Sequence, residues 1–256
     1  MTRAPDIVRV ATAGGIAVQP VGATEQHGAH LPVDTDTIIA AALARRACDR
    51  LAGEVETWLL PALAYGFSPE HASHAGTISL AADTILRVCD DVARAAQASG
   101  MRAIVFVNGH GGNPEVLHVA TRTIRRERGL HAFTVHAPSL PLDADLVASH
   151  AAAETDVHAG HYETSVMLAL RPDLVDTTAL RSDGVDLETR FPRTGGVSPL
   201  GPIGVPWHSE DLSGTGTIGD PSHADATWGQ RALEVQGRAL ADALRGFVAY
   251  ADRVRP

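Results

Sequence analysis

Four short apolar runs alternate along the chain with longer segments of helical periodicity, and this alternation restricts the fold more than any other feature. Strands that alternate with helices form a mainly parallel sheet whose two faces are both covered. The 256 residues suffice for one such α/β domain and contain no repeat that would divide it, so we predict a single domain over residues 1–256. The predicted strands are 15–22, 55–61, 103–107 and 130–135, and the predicted helices are 35–52, 82–99, 114–128, 162–170 and 222–251.

Charge and composition exclude several classes of protein. The formal net charge is −9, and no basic stripe extends beyond the short run at 125–128, which argues against a nucleic-acid partner. No segment reaches the roughly 18 consecutive apolar residues of a membrane span, and the amino-terminal residues lack the apolar stretch of a signal peptide. We therefore expect no membrane partner and a cytoplasmic location. The absence of lysine excludes Schiff-base chemistry.

A histidine among three glycines follows the third predicted strand, in the run NGHGGN at residues 108–113. Ligands of parallel sheets bind beyond the carboxyl ends of the strands, so this loop lies where a site is expected. The glycines permit unusual backbone angles and a close approach to a ligand, which would let His110 reach a metal ion. Phosphate binding by the same glycines is the weaker alternative, because the chain has no lysine. Gly111 and Gly112 are also candidates for lining a substrate pocket.

The loop after the first predicted strand is rich in carboxylates and imidazoles. Ligands of these two kinds suit Zn²⁺, Mn²⁺ or Fe²⁺, and a shared carboxylate can bridge two ions. We interpret Glu25 and His27 as candidate ligands, whereas Asp34 is more simply explained as the cap of the following helix. The carboxylate and imidazole residues of this loop are Glu25, His27, His30, Asp34 and Asp36.

The segment HAGHYETSVMLAL at 158–170 supplies His158, His161 and Glu163 at the start of an apolar helix. A carboxylate in the first turn of a helix is favoured by the helix dipole whatever its role. A carboxylate five residues after a histidine also fits a metal ligand beside an acid–base group. The segment therefore leaves both a structural and a functional interpretation open.

Two less regular segments are expected to shape a pocket. The loop at 65–77 contains His74, which could contact substrate or be an ordinary loop histidine. The weaker candidates of this loop are Tyr65, Glu70 and His71. Residues 172–221 are rich in Gly, Pro, Asp and Ser without periodicity, and such long irregular segments are usually functional or ordered by a partner subunit. We predict that this segment forms an active-site rim or an oligomer contact.

Together these motifs resemble the creatininase (creatinine amidohydrolase) family. Its motif of the E-Q-H-G type is matched by residues 25–28, its following aspartate by Asp36, its N-G-H loop by 108–110 and its H-x-G…E-T-S segment by 158–165. The motifs occur in order over nearly the whole chain. The spellings AYGFSPEHASHAGTISL, VFVNGHGGN and HAGHYETSVML are most similar to the branch that contains the mycofactocin-system peptidase, and also resemble other creatininase-like amidases.

The resemblance implies a metal-dependent hydrolase of C–N bonds with a three-layer α/β/α subunit, usually in a homo-oligomer and often in a hexamer. It implies two divalent ions per subunit, with Zn²⁺ as the first choice and Mn²⁺ or Fe²⁺ as alternatives. One ion would be held by Glu25, Asp36 and His110. The other would be held by His27, Asp36 and Glu163, so that Asp36 bridges the two.

Two departures from creatininase itself predict a different substrate. The N-G-H loop of creatininase continues with a bulky aromatic residue and a glutamate, where this chain has Gly111 and Gly112. The tryptophans that pack on creatinine have no evident counterpart, and Glu154 lies where one would be expected. We therefore expect a small amide or short peptide other than creatinine, with a precursor peptide of the mycofactocin type as the alternative.

The hypothesis for the reaction is attack by a metal-activated water, because divalent ions lower the pKa of water and polarise an amide carbonyl. His158 would carry a proton to the departing nitrogen, with His161 as the alternative. A different class is a non-catalytic metal-binding assembly subunit, favoured by the missing glutamate of the glycine loop. Against it, buried charges are costly to retain without a metal ion.

Overall fold

Buried parallel strands form the centre of the molecule, in a computed structural model that describes residues 3–150, 153–187, 197–198 and 203–256. The strands of the main sheet are β1 (Ile16–Val21), β2 (Thr57–Leu59), β3 (Ala103–Asn108) and β4 (His131–His136). They pair in the order β2-β1-β3-β4, and each pair is parallel. Every residue of β1 and β3 is buried, which explains why the two strands are mostly apolar in the sequence, with Gln19 and Asn108 as their polar residues.

The structure describes eight helices, among them the five predicted ones, which differ from the predictions by a few residues at their ends. They are α1 (Ala4–Thr12), α2 (Thr35–Arg50), α3 (Ala82–Ala98), α4 (Pro114–Arg128), α5 (Ala144–Ala148), α6 (His161–Leu170), α7 (Ser209–Leu212) and α8 (Ala226–Arg253). Short 3-10 turns occur at Pro69–His71, Ala137–Ser139, Ala153–Thr155, Pro172–Leu174 and Pro221–His223. Of the helices described, none is long and apolar enough to cross a membrane.

Two apolar cores lie on opposite faces of the sheet, because successive side chains of a strand point to opposite sides. Val105 and Val107 of β3 belong to the core that α2, α6 and α8 cover. Ile104 and Phe106 belong to the core that α1, α3 and α4 cover. The resulting arrangement of helices, sheet and helices confirms the predicted three-layer α/β/α class.

The irregular segment predicted as a rim or oligomer contact is described only in part. Residues 188–196 and 199–202 lie outside the described residues. Two short strands, β5 (Val197–Ser198) and β6 (Ile203–Gly204), lie before and after residues 199–202 and pair in parallel with each other. Residues that precede and follow these strands in the sequence form a small apolar cluster of Leu187, Leu212 and Ile218. Val157 and Trp207 pack against this cluster. This cluster places the described part of the segment against the loop before α6.

Candidate metal centre

The carboxyl ends of β1 and β3 bring the five predicted metal ligands to one place, where ligands of parallel sheets usually bind. Glu25 and His27 follow β1, and Asp36 lies in the first turn of α2. His110 follows β3, and Glu163 lies in the first turn of α6. All but Glu163 are at most 2% exposed. Four separate segments of the chain thus supply one buried cluster.

Asp36 lies at the middle of this cluster. Its Oδ1 is 3.1 Å from His27 Nε2, and its Oδ2 is 3.1 Å from His110 Nδ1. The same nitrogen of His27 is 3.7 Å from Glu163 Oε2, and the same nitrogen of His110 is 3.2 Å from Glu25 Oε1. Asp36 therefore joins one histidine–carboxylate pair to the other, which is the position that a bridging ligand requires.

Both histidines of the cluster use their second ring nitrogen to contact a backbone carbonyl. His27 Nδ1 lies 3.1 Å from the carbonyl oxygen of Glu25, and His110 Nε2 lies 3.0 Å from that of Phe67. Because a carbonyl only accepts hydrogen bonds, these nitrogens carry the hydrogen and donate it. The opposite nitrogens then face the carboxylates with their lone pairs. Metal-binding histidines are commonly oriented in this way.

Electrostatics at the cluster favour a positive charge between the carboxylates. Burial alone would lower the pKa of His27, but Asp36 and Glu163 outweigh it and hold that pKa well above its ordinary value. Burial also opposes charge on His110, and there Glu25 and Asp36 raise the pKa. Burial would raise the pKa of Asp36, yet the two histidines lower it far below its ordinary value. A metal cation held between these carboxylates and imidazoles would supply the positive charge that the carboxylates favour.

The residues of the cluster fit divalent cations. Glu25 Oε2 is buried and has no hydrogen-bond partner among the described residues. The described ion pairs give the carboxylates of Glu25, Asp36 and Glu163 only histidine partners. Buried carboxylates are costly without compensating charge, and mixed oxygen and imidazole ligands suit first-row metals. Ligand atoms of His27, Asp36 and Glu163 all lie within 4.8 Å of one another, close enough to hold one ion.

A third imidazole, that of His158, lies beside the cluster. Its Nε2 donates to the carbonyl oxygen of Gln26 at 2.6 Å, which leaves Nδ1 facing Glu25 Oε1 at 3.6 Å. Its ring lies between those of His27 and His71, with centroids 4.2 Å away on each side. Burial and the neighbouring His27 lower the pKa of His158. His158 is therefore a neutral, oriented imidazole with one free nitrogen at the site.

Strained backbone positions the acidic group of α6. Ala159 has φ of 54°, a left-handed conformation that residues with a side chain rarely adopt. In this conformation its N–H donates to Glu163 Oε2 at 2.6 Å. Such strain costs about 1–3 kcal/mol and is concentrated at functional sites. The strain is tolerated here because paired hydrogen bonds between His158 and Ile218 fix the preceding residue.

A cavity of about 210 Å³ opens onto the cluster. Its lining includes the predicted Gly111 and also Trp207, although no counterpart of the creatininase tryptophans was evident in the sequence. Glu70 lies 3.6 Å from His110 Nε2, and burial raises its pKa. Beyond four of the predicted ligands, the lining residues are Glu70, His71, Gly111, Val157, His158 and Trp207.

Three residues predicted for the pocket, His74, Gly112 and His161, do not line the described cavity. His161 packs against Trp228 and His150, with ring centroids 4.8 and 5.1 Å away, and does not line the described cavity. His161, the first residue of α6, faces the long helix α8, whereas Glu163 faces the cluster around Asp36. His74 also lies outside the lining, and it is His71, three residues earlier, that is buried there. The 3-10 turn Pro69–His71 directs that side chain inward.

Two of the three glycines of the NGHGGN loop are required for space, and none of the three is required for unusual backbone angles. Gly109, Gly111 and Gly112 are all outside the left-handed region. A Cβ atom at Gly109 would lie 2.5 Å from the carbonyl oxygen of Asp36. One at Gly112 would lie 2.3 Å from the carbonyl oxygen of Phe67 and 2.6 Å from His110 Nε2, behind the imidazole and not in the cavity lining. Gly111 alone faces open space.

Alanine substitutions at the two adjacent glycines should therefore differ sharply. Gly112→Ala is expected to lower the free energy of unfolding by about 1–3 kcal/mol, because backbone and the His110 ring must shift to admit the methyl group. The displaced imidazole should also lower the metal content of the protein. Gly111→Ala serves as the matched control and should leave stability unchanged or slightly raised. Denaturant unfolding with metal analysis measures both effects, and equal losses in the two variants would contradict this account.

Comparisons with known proteins agree with the geometry. The family model "Creatininase: Creatinine amidohydrolase" matches residues 1–244. A mycofactocin precursor peptide peptidase of Mycobacterium ulcerans is 41% identical over 83% of this chain and 77% of its own length. One of Mycolicibacterium smegmatis is 36% identical over 88% and 83%. A creatinine amidohydrolase of Pseudomonas putida is 31% identical over 93% and 91%.

Solved structures show the same fold. The structure "Creatininase Mn" superposes with a TM-score of 0.77 at 27% identity, covering 96% of each chain. Another crystal structure of creatinine amidohydrolase gives a TM-score of 0.77 at 28% identity, again over 96% of each chain. These matches confirm the resemblance that the motifs predicted, including its peptidase branch. The chain belongs to the creatininase family.

Proposed function

We propose that this protein is a dinuclear metal-dependent amidohydrolase that cleaves an amide or peptide bond in a short peptide substrate. The observation that carries the proposal is the buried cluster around Asp36. Three carboxylates and two imidazoles converge there, and each imidazole is held by a carbonyl so that its free nitrogen faces the carboxylates. The proposed ligands are Glu25, Asp36 and His110 for one ion, and His27, Asp36 and Glu163 for the other.

Side chains of the protein would carry out the proton transfer and form the wall of the cavity. Divalent cations held by these ligands would supply the Lewis acidity that lowers the pKa of water and polarises an amide carbonyl. His158 is held through Nε2, so Nδ1 is the atom that accepts a proton and passes it to the departing nitrogen. Because its pKa is lowered, His158 is neutral near pH 7 and ready to accept. Trp207 and Val157 add apolar side chains to the cavity wall.

A peptide substrate is favoured over creatinine. The relatives that are 36–41% identical are named mycofactocin precursor peptide peptidase, whereas the creatinine amidohydrolase is 31% identical. The loop at Gly111 has open space beside the cavity where creatininase has a bulky residue. The proposed substrate is therefore the end of a short or precursor peptide, and a small amide is the second choice.

The proposal extends to the metal and to the assembly. Zn²⁺ is the first choice and Mn²⁺ or Fe²⁺ are alternatives, because mixed carboxylate and imidazole sites accept several first-row ions. Solved creatininases include a Zn-Zn type and an Mn form, which supports metals of this group. A cytoplasmic homo-oligomer, a hexamer by analogy with the family, completes the proposal.

Hydrolysis of a substrate panel tests the proposed function. The protein is stripped of metal, reloaded with Zn²⁺, Mn²⁺ or Fe²⁺, and offered free and end-blocked short peptides, linear amides, and creatinine. We expect metal-dependent cleavage of at least one peptide, with kcat/KM at least about tenfold above that for creatinine, a difference of 1.4 kcal/mol. Mass spectrometry of the products identifies the cleaved bond.

The outcomes separate the rival functions. Preferred turnover of creatinine would contradict the peptide class while retaining the amidohydrolase. Tight binding of two ions without cleavage of any amide would favour the alternative, a metal-binding assembly subunit. Failure to bind divalent ions at all would contradict both.

A further inference from the structure

One short segment of the loop after β2 contacts Nε2 of His110, the ring nitrogen that does not face the cluster. This nitrogen lies 3.0 Å from the carbonyl oxygen of Phe67 and 3.2 Å from Ser68 Oγ. Glu70 Oε1 lies 3.6 Å from the same nitrogen. Nδ1 of the ring faces the carboxylates of the cluster. Residues 67–70 therefore contact the imidazole on the side away from its proposed ion.

The contact with Glu70 differs from the other two because it brings a charge. Phe67 and Ser68 offer a carbonyl and a hydroxyl oxygen, which orient the ring but carry no net charge. The side chain of Glu70 is only 16% exposed, so water and salt screen its charge incompletely. At 3.6 Å the contact is too long for a hydrogen bond. The influence of Glu70 on His110 is therefore electrostatic.

Gly112 leaves the space that this carboxylate occupies. A Cβ atom at Gly112 would lie 2.5 Å from Glu70 Oε1 and 2.6 Å from His110 Nε2. The carboxylate and the imidazole thus both lie against the backbone of Gly112, and a side chain there would displace one or both of them. The glycine loop carries no acidic group at this position, and a carboxylate from another loop fills the place.

Backbone contacts set the position of Glu70 relative to His110. The Phe67 N–H donates to Asn113 Oδ1 at 2.9 Å, which joins the loop after β2 to the NGHGGN loop beside the imidazole. Glu70 follows three residues later, in the 3-10 turn Pro69–His71. The carboxylate is therefore held close to the imidazole by regular structure and by a hydrogen bond between the two loops.

A carboxylate beside the N–H of a metal-binding imidazole strengthens that imidazole as a ligand. It fixes the ring and raises the basicity of the opposite nitrogen, and the loss of such a partner lowers metal affinity about 10- to 100-fold. Direct binding of an ion by Glu70 is the alternative, since one ligand atom each of Glu25, Glu70 and His110 lie within 4.8 Å of one another. The described ion pair of Glu70 is with Nε2, the nitrogen turned away from the cluster, which favours action through the ring.

We propose that Glu70 is a positioning residue that acts through His110 and strengthens the binding of the ion that His110 holds. The inference rests on the proposed function and deepens it, because it makes the two ions depend differently on residue 70. Nδ1 of His27, the ring nitrogen turned away from Asp36, contacts the carbonyl oxygen of Glu25, a neutral group. Removal of the charge at residue 70 should therefore weaken one ion more than the other.

Metal titrations of two Glu70 variants test this role. The full-length protein is stripped of metal and titrated with Zn²⁺ in competition with a chromophoric chelator, which gives a dissociation constant for each ion. Glu70→Gln keeps the size of the side chain but removes its charge, and should weaken one ion about tenfold or more and the other by less than about threefold. Glu70→Asp keeps the charge and should recover part of the lost affinity. Glu115→Gln, exposed in the first turn of α4, is the control and should match wild type.

Loading with Co²⁺ separates the positioning role from direct binding, because the visible absorption of this ion reports its coordination geometry. If Glu70 acts through His110, the Glu70→Gln protein loaded with two Co²⁺ ions should keep the band intensities of wild type. A spectrum typical of a changed coordination number would make Glu70 a ligand and overturn the positioning role.

The failure of this role differs from the failure of the proposed function. Unchanged Zn²⁺ dissociation constants in Glu70→Gln would overturn the role of Glu70, while hydrolysis by wild type stands. A Glu70→Asp protein that binds Zn²⁺ as weakly as Glu70→Gln would overturn it too, since charge would not be the cause. A wild-type protein that binds both ions but cleaves no peptide or amide would remove the proposed function and leave the effect of Glu70 on metal affinity in place.

Discussion

Asp36→Asn should deplete both metal ions together and abolish hydrolysis. The substitution keeps the shape of the side chain but removes the charge that lies 3.1 Å from both His27 Nε2 and His110 Nδ1. Because the two proposed ligand sets share this carboxylate, its loss should weaken both ions. Metal ions contribute several kcal/mol to transition-state stabilisation, so kcat/KM should fall by about 10³-fold or more. Inductively coupled plasma mass spectrometry and kinetics on the same preparation measure both effects.

The matched control lies two residues earlier. Asp34→Asn removes a carboxylate at the N-cap of α2 that is exposed and makes no side-chain capping hydrogen bond. It should therefore retain the metal content and the activity of wild type. If Asp36→Asn kept both ions and full turnover, the role of Asp36 as a shared ligand would be wrong. Loss of a single ion would assign Asp36 to one position only.

The elements nearest the site could be predicted from the sequence because their apolar patterns and end residues match their positions in the fold. β3 is buried on both faces, so its residues before Asn108 form an unbroken apolar run, and α4 begins at Pro114 and ends before Gly129, which adopts φ of 58°. Three of the described helices, α1, α5 and α7, were not predicted, and α1 is the longest of them. It is nine residues long and buries only Val10, so the apolar stripe that would have identified it is too short.

The sequence predicted the site only through one rule, that loops following parallel strands lie at the same edge of the sheet. That rule placed Glu25 and His110 together, since β1 and β3 are parallel neighbours. The sequence ranked His71 below His74, whereas His71 is the one that lines the cavity, because a 3-10 turn and not a repeating element decides which side chain faces inward. Trp207 reaches the cavity from a distant irregular segment, whose path depends on tertiary packing with no periodic signal.

The same limit left His161 as an alternative to His158 for proton transfer, and substitution should separate the two. His158→Ala should keep both ions but lower kcat by about 10²–10⁴-fold, because it removes the imidazole whose free Nδ1 faces the cluster. His161→Ala is the matched variant, three residues away, and should leave kcat within about twofold. Its imidazole packs against Trp228 and is not among the lining residues of the described cavity. Single-turnover kinetics with metal analysis measure both.

Each departure from this pattern has a distinct physical meaning. Loss of an ion in His158→Ala would make His158 a ligand, since its ring nitrogen and ligand atoms of Glu25 and His27 lie within 4.8 Å of one another. Normal turnover with both ions retained would remove its role in proton transfer. Added imidazole provides a further discrimination, because it can restore a missing proton carrier. Partial recovery of kcat in His158→Ala, with the metal content unchanged, would support proton transfer at this position, where the neutral ring lies between His27 and His71.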